Sequence, residues 1–426
     1  MPPSKKPKPA ADLSRQGVRH VALRIAYLGT DYFGFSGFKV DTPDERTVER
    51  ELFHALHKAK LIGSLVPADC NYAKCGRTDR GVHGFGQVVS LHVRSKLNAG
   101  PGVIKECEAT ERKNSLASCS LGEGNGEEGT MDYSKELNYP QMLNGLLPPD
   151  IRVLAWAPVD EGFSARFSCQ TRVYHYYFFR QQLDVAAMRE AAQLFLGEHD
   201  FRNFCKIDPV QTLNFRRSVE RFDVEHVPGF HAACREAELG LHRFVIEGTA
   251  FLWHQVRCMT EVLFMVGRGE ERGEVITALL DVAKHPDKPQ YGFASEVPLI
   301  LWDCKFLGVR WVYSRSDLSF LSRDFFSDVV LPSQMQLVIQ SRMANMIDDL
   351  LDEQRRFPAS SSSSSSSEAR RKRHKHTPLL QRRTCPSVEE RVSVLKGKKL
   401  ADYQKKVDFL ESVGWAEHPN KVRRTN

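Results

Sequence analysis

The order of strand-like and helix-like segments constrains the fold of this chain more than any other feature of its sequence. Residues 21–27 and 172–179 are rich in β-branched and aromatic side chains, as β-strands are. Residues 48–56 instead carry an apolar side chain at every fourth position, which is typical of one face of a helix. Strands and helices follow one another without the short, regular rhythm of a doubly wound sheet. The pattern therefore predicts an α+β fold built on a mainly antiparallel sheet.

The same patterns place several further elements. Thr47 can cap the helix at 48–56, and Asp184 can cap another helix that Gly197 ends. Residues 251–266 predict a third helix, with Leu252, Val256, Met259 and Leu263 on one face. Further strands are predicted at 88–93, 222–227 and 244–247, the last two as a pair.

Composition separates a folded body from its appendages. Stretches rich in Pro, Lys, Ser, Glu or Gly lack hydrophobic periodicity and are not expected to pack. The predicted parts are a disordered basic N-terminus at 1–19, an N-terminal half of the folded body at 20–155 with a disordered insertion at 104–136, a C-terminal half at 156–312, a helical extension at 313–357, a Ser-rich and basic linker at 358–376, and a basic C-terminal extension at 377–426.

Charge and cysteine content limit the functional classes. No run of 18 apolar residues occurs and the first residues lack a secretory signal, so we expect a soluble, intracellular protein without a membrane partner. The 10 cysteines show no Cys-x-x-Cys pair, which predicts free thiols and no zinc site. The net charge of +7 comes from residues 368–426, which hold 16 Lys and Arg against 7 Asp and Glu. Bulk charge therefore predicts nucleic-acid binding for the tail and not for the body.

Asp79 lies in a segment that predicts a sharp, exposed turn, Cys75-Gly76-Arg77-Thr78-Asp79-Arg80-Gly81-Val82-His83. The glycine two residues later favours a backbone turn that presents the carboxylate. Taken alone, an Asp at such a place more often caps a turn than performs chemistry.

This segment closely resembles the signature loop of the TruA family of tRNA pseudouridine synthases. Other segments are similar to family segments in the same order along the chain. These are residues 21–33, 143–153, 163–176, 197–201, 251–257 and 294–301. The resemblance covers residues 20–312 and implies a pseudouridine synthase fold, in which two ferredoxin-like-related halves surround a central cleft. It also implies an isomerase that acts on tRNA without a metal or organic cofactor.

The resemblance implies a catalytic role for three residues. Asp79 would act at C1′ or on the 2′ proton of the target uridine. Tyr174 would stack on the uracil and assist removal of the C5 proton, although period-two alternation puts Tyr176 on the same face. Arg257 would pair with Asp79 and keep it ionised, whereas without the family it is equally an arginine on the solvent side of its helix.

Five further residues are expected to contact the RNA substrate. By resemblance Leu299 packs against the target base, but core packing is an equally good interpretation of a leucine. Thr78 flanks the catalytic position. Arg77, Arg80 and Arg166 are candidates for phosphate contacts or for separating the RNA strand, and each is also explained as a plain surface charge.

The tail resembles one eukaryotic branch of the family. Residues 377–391, 200–206 and 302–306 are similar to the branch that modifies positions 38 and 39 in the anticodon stem-loop. His83 departs from that branch, where Ser is usual. We therefore expect modification of position 38, 39 or both. The alternatives are isomerisation at other tRNA positions, a non-catalytic tRNA-binding protein on this fold, or an N-glycosidase.

Location and assembly are less constrained. The basic run at 370–376 predicts a nuclear address, an RNA-contacting arm or a solvated tail, which places the protein in the nucleus, the cytoplasm or both. Monomer and homodimer are both compatible with the sequence.

Overall fold

The computed structural model describes residues 17–36, 45–104, 133–210, 212–227, 240–313 and 376–412, which form two compact units. Of these residues, the first unit contains 17–36, 45–78, 86–104, 133–169 and 306–313. The second unit contains 79–85, 170–210, 212–227, 240–305 and 376–412.

The first unit is a small α+β unit. Its strands are β1 (Gly17–Tyr27), β2 (Ala73–Lys74), most of β3 (His83–Ser95), β4 (Val103–Ile104) and β5 (Ile151–Pro158), and its helices are α1 (Val48–Lys58) and α2 (Tyr139–Asn144). Strand β1 pairs antiparallel with β4 and β5, and β2 pairs antiparallel with β3. The β1–β5 register shifts between Arg24 and Ile25.

Helix α1 forms as its sequence predicts. The Thr47 side chain accepts a hydrogen bond from the Arg50 backbone N–H at 3.3 Å, which satisfies one of the free donors of the first turn. Val48, Leu52 and Leu56 are fully buried in the core of the unit. The four-residue spacing is thus the packing face of the helix.

A buried ion pair lies in the first unit. Arg19 Nε donates to Glu136 Oε2 at 3.0 Å, and both side chains are almost fully buried. The Glu136 carboxylate also accepts bonds from the Ser95 hydroxyl at 2.6 Å and from the Lys96 N–H at 2.8 Å. Most of the insertion predicted at 104–136 lies outside the described residues, but Glu136 and Ile104 at its ends belong to the folded unit.

The second unit is built on a longer sheet. Its strands are β6 (Cys169–Phe179), β7 (Gly197–Asp200), β8 (Arg216–His226), β9 (Leu241–Gly248) and β10 (Leu299–Phe306), and its helices are α3 (Val185–Gln193), α4 (Gln255–Gly267) and α5 (Glu274–Leu280). The order is β10-β6-β9-β8-β7, and the β6–β9, β9–β8 and β8–β7 pairs are antiparallel. Only the first residues of β3 pair in parallel with β10, so the predicted α+β fold with a mainly antiparallel sheet is confirmed.

Helix α4 begins later than its hydrophobic period predicts. The period extends from residue 251, but the helix begins at Gln255 because His254 has left-handed backbone angles, φ 60° and ψ 12°. Leu252 is nevertheless buried, since the turn before the helix folds its side chain onto the same core. The apolar pattern therefore identified the packing face correctly but not the start of the helix.

A C-terminal segment completes the core of the second unit. Residues 376–393, here called the strap, include a short 3₁₀ turn at Leu379–Gln381 and helix α6 (Val388–Ser393), and they precede helix α7 (Gly397–Ser412). Leu379 and Val388 are buried in the core cluster that contains α3 and α4.

Backbone bonds tie the strap to residues 288–290. Cys385 donates its N–H to the Lys288 carbonyl at 2.7 Å, and Gln290 donates to the Arg383 carbonyl at 2.8 Å. His376, the last residue of the predicted basic run, bonds Glu271 at 2.8 Å, while the rest of that run lies outside the described residues. The part of the chain that the structure describes has no helix long and apolar enough to cross a bilayer.

The strap is expected to contribute to the stability of the second unit. Leu379→Ala removes a side chain that is 0% exposed and should lower the free energy of unfolding by about 2–5 kcal/mol. Leu380, which is 47% exposed, is the matched control, and Leu380→Ala should change the value by less than about 0.5 kcal/mol. Urea denaturation followed by circular dichroism measures both. Equal effects of the two substitutions would contradict the packing described here.

The Glu136 site predicts a stability that depends on pH. Burial raises the pKa of Glu136, but the bonds from Ser95, Leu137, Lys96 and Arg19 outweigh burial and set the pKa below its ordinary value of 4.5. The ionised Glu136 therefore stabilises the fold above pH 4.5, and this stabilisation is lost as the pH falls through the lower folded-state pKa. Glu136→Gln leaves Arg19 without a buried counter-charge and should cost about 3–5 kcal/mol at pH 7.

The difference between wild type and Glu136→Gln should narrow as the pH falls below 4.5. Thermal unfolding across pH 3 to 7 provides the measurement. Glu161→Gln, at an exposed position of the same unit, is the control and should show no such trend. A difference that stays constant with pH would refute the role of the ionised carboxylate.

Candidate active site

Asp79 lies in a tight turn of the second unit. Val82 donates its N–H to the Asp79 carbonyl at 3.2 Å, and the Val82 side chain is buried in the core of the unit. Gly81 has a positive φ of 80°, and a Cβ there would lie 2.9 Å from Cγ of Glu296. Both observations explain the glycine, and the turn leaves the Asp79 side chain 27% exposed.

The Asp79 carboxylate contacts two consecutive residues. Its Oδ2 lies 3.4 Å from Nε2 of His254, and it accepts a side-chain hydrogen bond from Trp253, whose only donor is the indole N–H. Burial raises the pKa of Asp79, while the charges of Arg257 and Lys206 and the Trp253 bond lower it. The net direction is upward, so Asp79 is a stronger base than an exposed aspartate.

His254 contacts Asp79 as a neutral imidazole. Burial, together with the nearby charges of Arg257, Lys206 and Lys288, lowers the pKa of His254 to about 4. The 3.4 Å approach is therefore not an ion pair near pH 7, although it joins a ring nitrogen to a carboxylate. Its Nδ1 is buried and has no hydrogen-bond partner among the residues that the structure describes.

Arg257 is buried, and its direct contacts are with groups other than Asp79, its expected partner. Its Nη2 bonds Glu296 Oε2 at 2.7 Å, and its Nε donates to the Ala294 carbonyl at 2.7 Å. The guanidinium also lies 4.4 Å from the ring centre of Phe293. The solvent-facing alternative is thus excluded, and the effect of Arg257 on Asp79 is through space, where its charge lowers the Asp79 pKa.

The structure distinguishes the tyrosines of strand β6. Tyr176 is 3% exposed and lies within the core, whereas Tyr174 is only partly buried and packs edge-on against Phe251, with ring centres 5.2 Å apart. Tyr177 occupies the opposite face of the strand, where its ring meets His175. Of the two tyrosines on the Tyr174 face, Tyr174 alone keeps partial exposure.

Leu299 and His83 both belong to the sheet beside Asp79. Leu299 is 4% exposed and joins the core cluster against which Tyr174 packs, so the structure gives it a packing contact and leaves its contact with a base a prediction. His83 pairs with Ile300 across the β3–β10 ladder. Burial lowers the pKa of His83 to about 4, so this departure from the related branch places a neutral, buried ring in the sheet.

The remaining predicted RNA contacts are distributed over both units. Arg80 is exposed in the second unit. Thr78 is buried in the first unit, where its hydroxyl bonds the Tyr27 hydroxyl at 2.8 Å, so its observed contact is structural. Arg77 and Arg166 are exposed in that unit, and Arg166 lies 5.2 Å from the ring centre of the neighbouring Phe167. Their RNA contacts stay predictions.

Sequence reasoning missed four residues near Asp79. They are Lys206, Trp253, His254 and Glu296. Trp253 and His254 lie shortly before Val256 and Arg257 in the family-like segment 251–257, but a helical interpretation gives them no special orientation. The signal that sets them apart is the left-handed backbone at His254, which no hydrophobic pattern shows.

The chain is similar in sequence to known proteins. Residues 191–307 match the family model described as tRNA pseudouridine synthase. The tRNA pseudouridine(38/39) synthase of Bos taurus is 44% identical over 317 residues, which cover 74% of this chain and 61% of the relative. This chain therefore spans about three fifths of the length of that vertebrate protein.

Two more distant relatives are covered over most of their length. A probable tRNA pseudouridine synthase of Caenorhabditis elegans is 33% identical, with 79% of this chain and 77% of the relative aligned. The tRNA pseudouridine synthase A of Methanothrix thermoacetophila is 30% identical, with 77% of this chain and 98% of the relative aligned. The chain belongs to the TruA family of tRNA pseudouridine synthases.

Proposed function

We propose that this protein is an isomerase that converts uridine to pseudouridine in the anticodon stem-loop of tRNA, at positions 38 and 39. The observation that carries the proposal is the Asp79 carboxylate, held in a turn between a tryptophan donor, a neutral histidine and a buried arginine. The target positions are supported by the name of the 44% identical Bos taurus relative, a tRNA pseudouridine(38/39) synthase.

The reaction breaks the bond from uracil N1 to C1′ and forms a bond from C5 to the same carbon. An ionised Asp79 can attack C1′ and is then displaced by C5. Alternatively, it can remove the 2′ proton, which it returns to C2′ when C5 bonds to C1′. The C5 proton is lost and N1 gains a proton, so the overall change is an isomerisation. A carboxylate whose pKa is raised by burial remains reactive because it is poorly solvated.

Tyr174 is suited to the second half of this reaction. Its ring is partly exposed beside the partly buried Phe251 and offers a face for an extruded uracil. Its hydroxyl can pass on the proton that leaves C5. Arg257 acts on Asp79 by its charge, because it favours the ionised form of the carboxylate without bonding to it directly.

The substrate is expected to reach Asp79 as an extruded nucleotide. Unstacking a base costs a few kcal/mol and is easiest next to a loop, which suits positions at the 3′ side of the anticodon loop. The exposed Arg77, Arg80 and Arg166 are candidates for the phosphate contacts that offset this cost. We propose that the protein acts in the nucleus, the cytoplasm or both.

Asp79→Asn tests the proposed nucleophile. The amide can neither attack C1′ nor accept the 2′ proton, so turnover should fall at least about a thousandfold. The measurement is tritium release from tRNA transcripts that carry [5-³H]uridine, since the C5 proton leaves only when the base is reattached. Asp223→Asn, at an exposed position of β8, is the control and should retain wild-type turnover.

Each alternative function gives a different result in that assay. Free uracil would indicate a glycosidase, and tight tRNA binding without tritium release by the wild type would indicate a binding protein. Mapping the product separates positions 38 and 39 from other sites. Full activity of Asp79→Asn would remove Asp79 from the mechanism.

Tyr174→Phe separates stacking from proton transfer. The phenylalanine ring keeps the stacking face but has no hydroxyl, so kcat should fall roughly a hundredfold while KM stays within about twofold. Tyr313→Phe, which removes the hydroxyl of an exposed tyrosine, is the matched control. If Tyr174→Phe keeps the wild-type kcat, the tyrosine contributes only its ring.

A further inference from the structure

Two adjacent side chains converge on a single carboxylate in the second unit. Trp253 donates a side-chain hydrogen bond to Asp79, and Nε2 of His254 lies 3.4 Å from Oδ2 of the same residue. Neighbouring residues of a helix or a strand point in different directions, so this convergence requires an irregular backbone. The irregularity is present at His254.

The backbone of His254 is held in an uncommon conformation. Its φ of 60° lies in the left-handed region, which is strained for a residue with a side chain and persists only where the surroundings impose it. The Trp253 backbone carbonyl accepts the Lys206 N–H at 2.8 Å, and the His254 backbone carbonyl accepts the Cys258 N–H at 2.9 Å. These bonds fix both sides of the strained peptide, and the strain directs the imidazole toward Asp79.

The side chains of the pair are also fixed by packing. The His254 ring lies between Trp253 and Phe293, with ring centres 5.1 Å and 4.4 Å away. The ammonium group of Lys206 lies 4.1 Å from the centre of the Trp253 ring and holds it by a cation–π contact. Neither donor can therefore rotate away from Asp79 without loss of a second contact.

The protonation of His254 determines what it can do. Besides the Asp79 carboxylate itself, the charged groups that face His254 are Arg257 from α4, Lys206 from the loop after β7 and Lys288 from the loop after α5, and these three cations oppose a positive imidazole. The ring is therefore neutral near pH 7, and a neutral ring has one N–H. Because a carboxylate only accepts hydrogen bonds, the tautomer with the proton on Nε2 fits the observed approach.

We propose that Trp253 and His254 are positioning residues for Asp79, which together donate two N–H groups to its carboxylate and orient one oxygen toward the substrate. The proposal rests on the proposed function, since it assigns Asp79 as the reacting group. His254 is a fixed donor here and not a general acid. The left-handed backbone at His254 allows the side chains of two neighbouring residues to reach one carboxylate.

Removal of either donor should affect the chemical step more than substrate binding. A hydrogen bond to a charged group contributes enough for a loss of roughly 10- to 100-fold in kcat, with KM within about twofold. The donors also favour the ionised carboxylate, so their loss should raise the pKa of Asp79. The acidic limb of the pH–rate profile should therefore move to higher pH.

Three variants test the proposal. His254→Gly adopts the left-handed backbone without strain and removes only the side chain, so it should show the full loss of kcat and the shifted limb. His254→Gln places its amide N–H near the position of the imidazole Nε2, so it should recover part of both. Trp253→Phe keeps an aromatic ring but removes the indole N–H. Trp302→Phe is the matched control, because Trp302 and Trp253 are both 37% exposed, and it should behave as wild type.

A measurement without tRNA separates this proposal from the proposed function. In protein labelled with ¹³C at the aspartate carboxyls, the Asp79 signal is identified by its absence in Asp79→Asn and is titrated in each variant. The midpoint should move upward in His254→Gly and Trp253→Phe, whether or not the wild type isomerises uridine.

The possible results divide clearly. An inactive wild type with a shifted midpoint in the variants would refute the proposed function and keep the two donors. Wild-type kcat and an unchanged midpoint in folded His254→Gly and Trp253→Phe would overturn the positioning role. A change in KM alone would also overturn it, because the residues would then contact substrate.

Discussion

The partial burial of one carboxylate is the constraint on which the second unit depends. Burial raises the pKa of Asp79 and penalises its ionised form, so the surroundings must supply donors and positive charge. They do so with an indole N–H from Trp253 and the nearby charges of Arg257 and Lys206. At the same place the backbone of His254 is strained, and helix α4 begins later than its apolar period predicts.

The segment from residue 288 to residue 294 connects the surroundings of Asp79 to the rest of the second unit. Residues 288–290 bond the strap through their backbone, and four residues later the Ala294 carbonyl accepts the Arg257 Nε at 2.7 Å. Phe293 lies against both the Arg257 guanidinium and the His254 ring. The arginine that acts on Asp79 is thus held by a loop whose other end is anchored by the C-terminal strap.

The sequence predicts the regular parts of this architecture well, because they follow from periodicity and capping. Helix α1 with its Thr47 cap and the paired strands β8 and β9 form where the pattern places them. The sequence does not predict the backbone conformation of His254, because apolar spacing indicates which face of a helix is buried and not the φ angle of a residue. It also could not find the Arg257–Glu296 pair, because the identity of an ionic partner depends on tertiary distances. The predicted N-terminal segment 1–19 lies outside the described residues except for 17–19, which begin β1, and the predicted linker 358–376 lies outside them except for His376.

The position of the strap in the chain has a consequence for synthesis. Leu379 and Val388 fill the same core as α3 and α4, but they leave the ribosome after strands β6 to β10 of that unit. At about 5–20 residues per second, the 72 residues between Phe306, the last residue of β10, and Leu379 represent several seconds of translation. During that interval the nascent unit exposes an apolar surface where the strap will pack. Chaperones that recognise such surfaces therefore have a defined window in which to act on this chain.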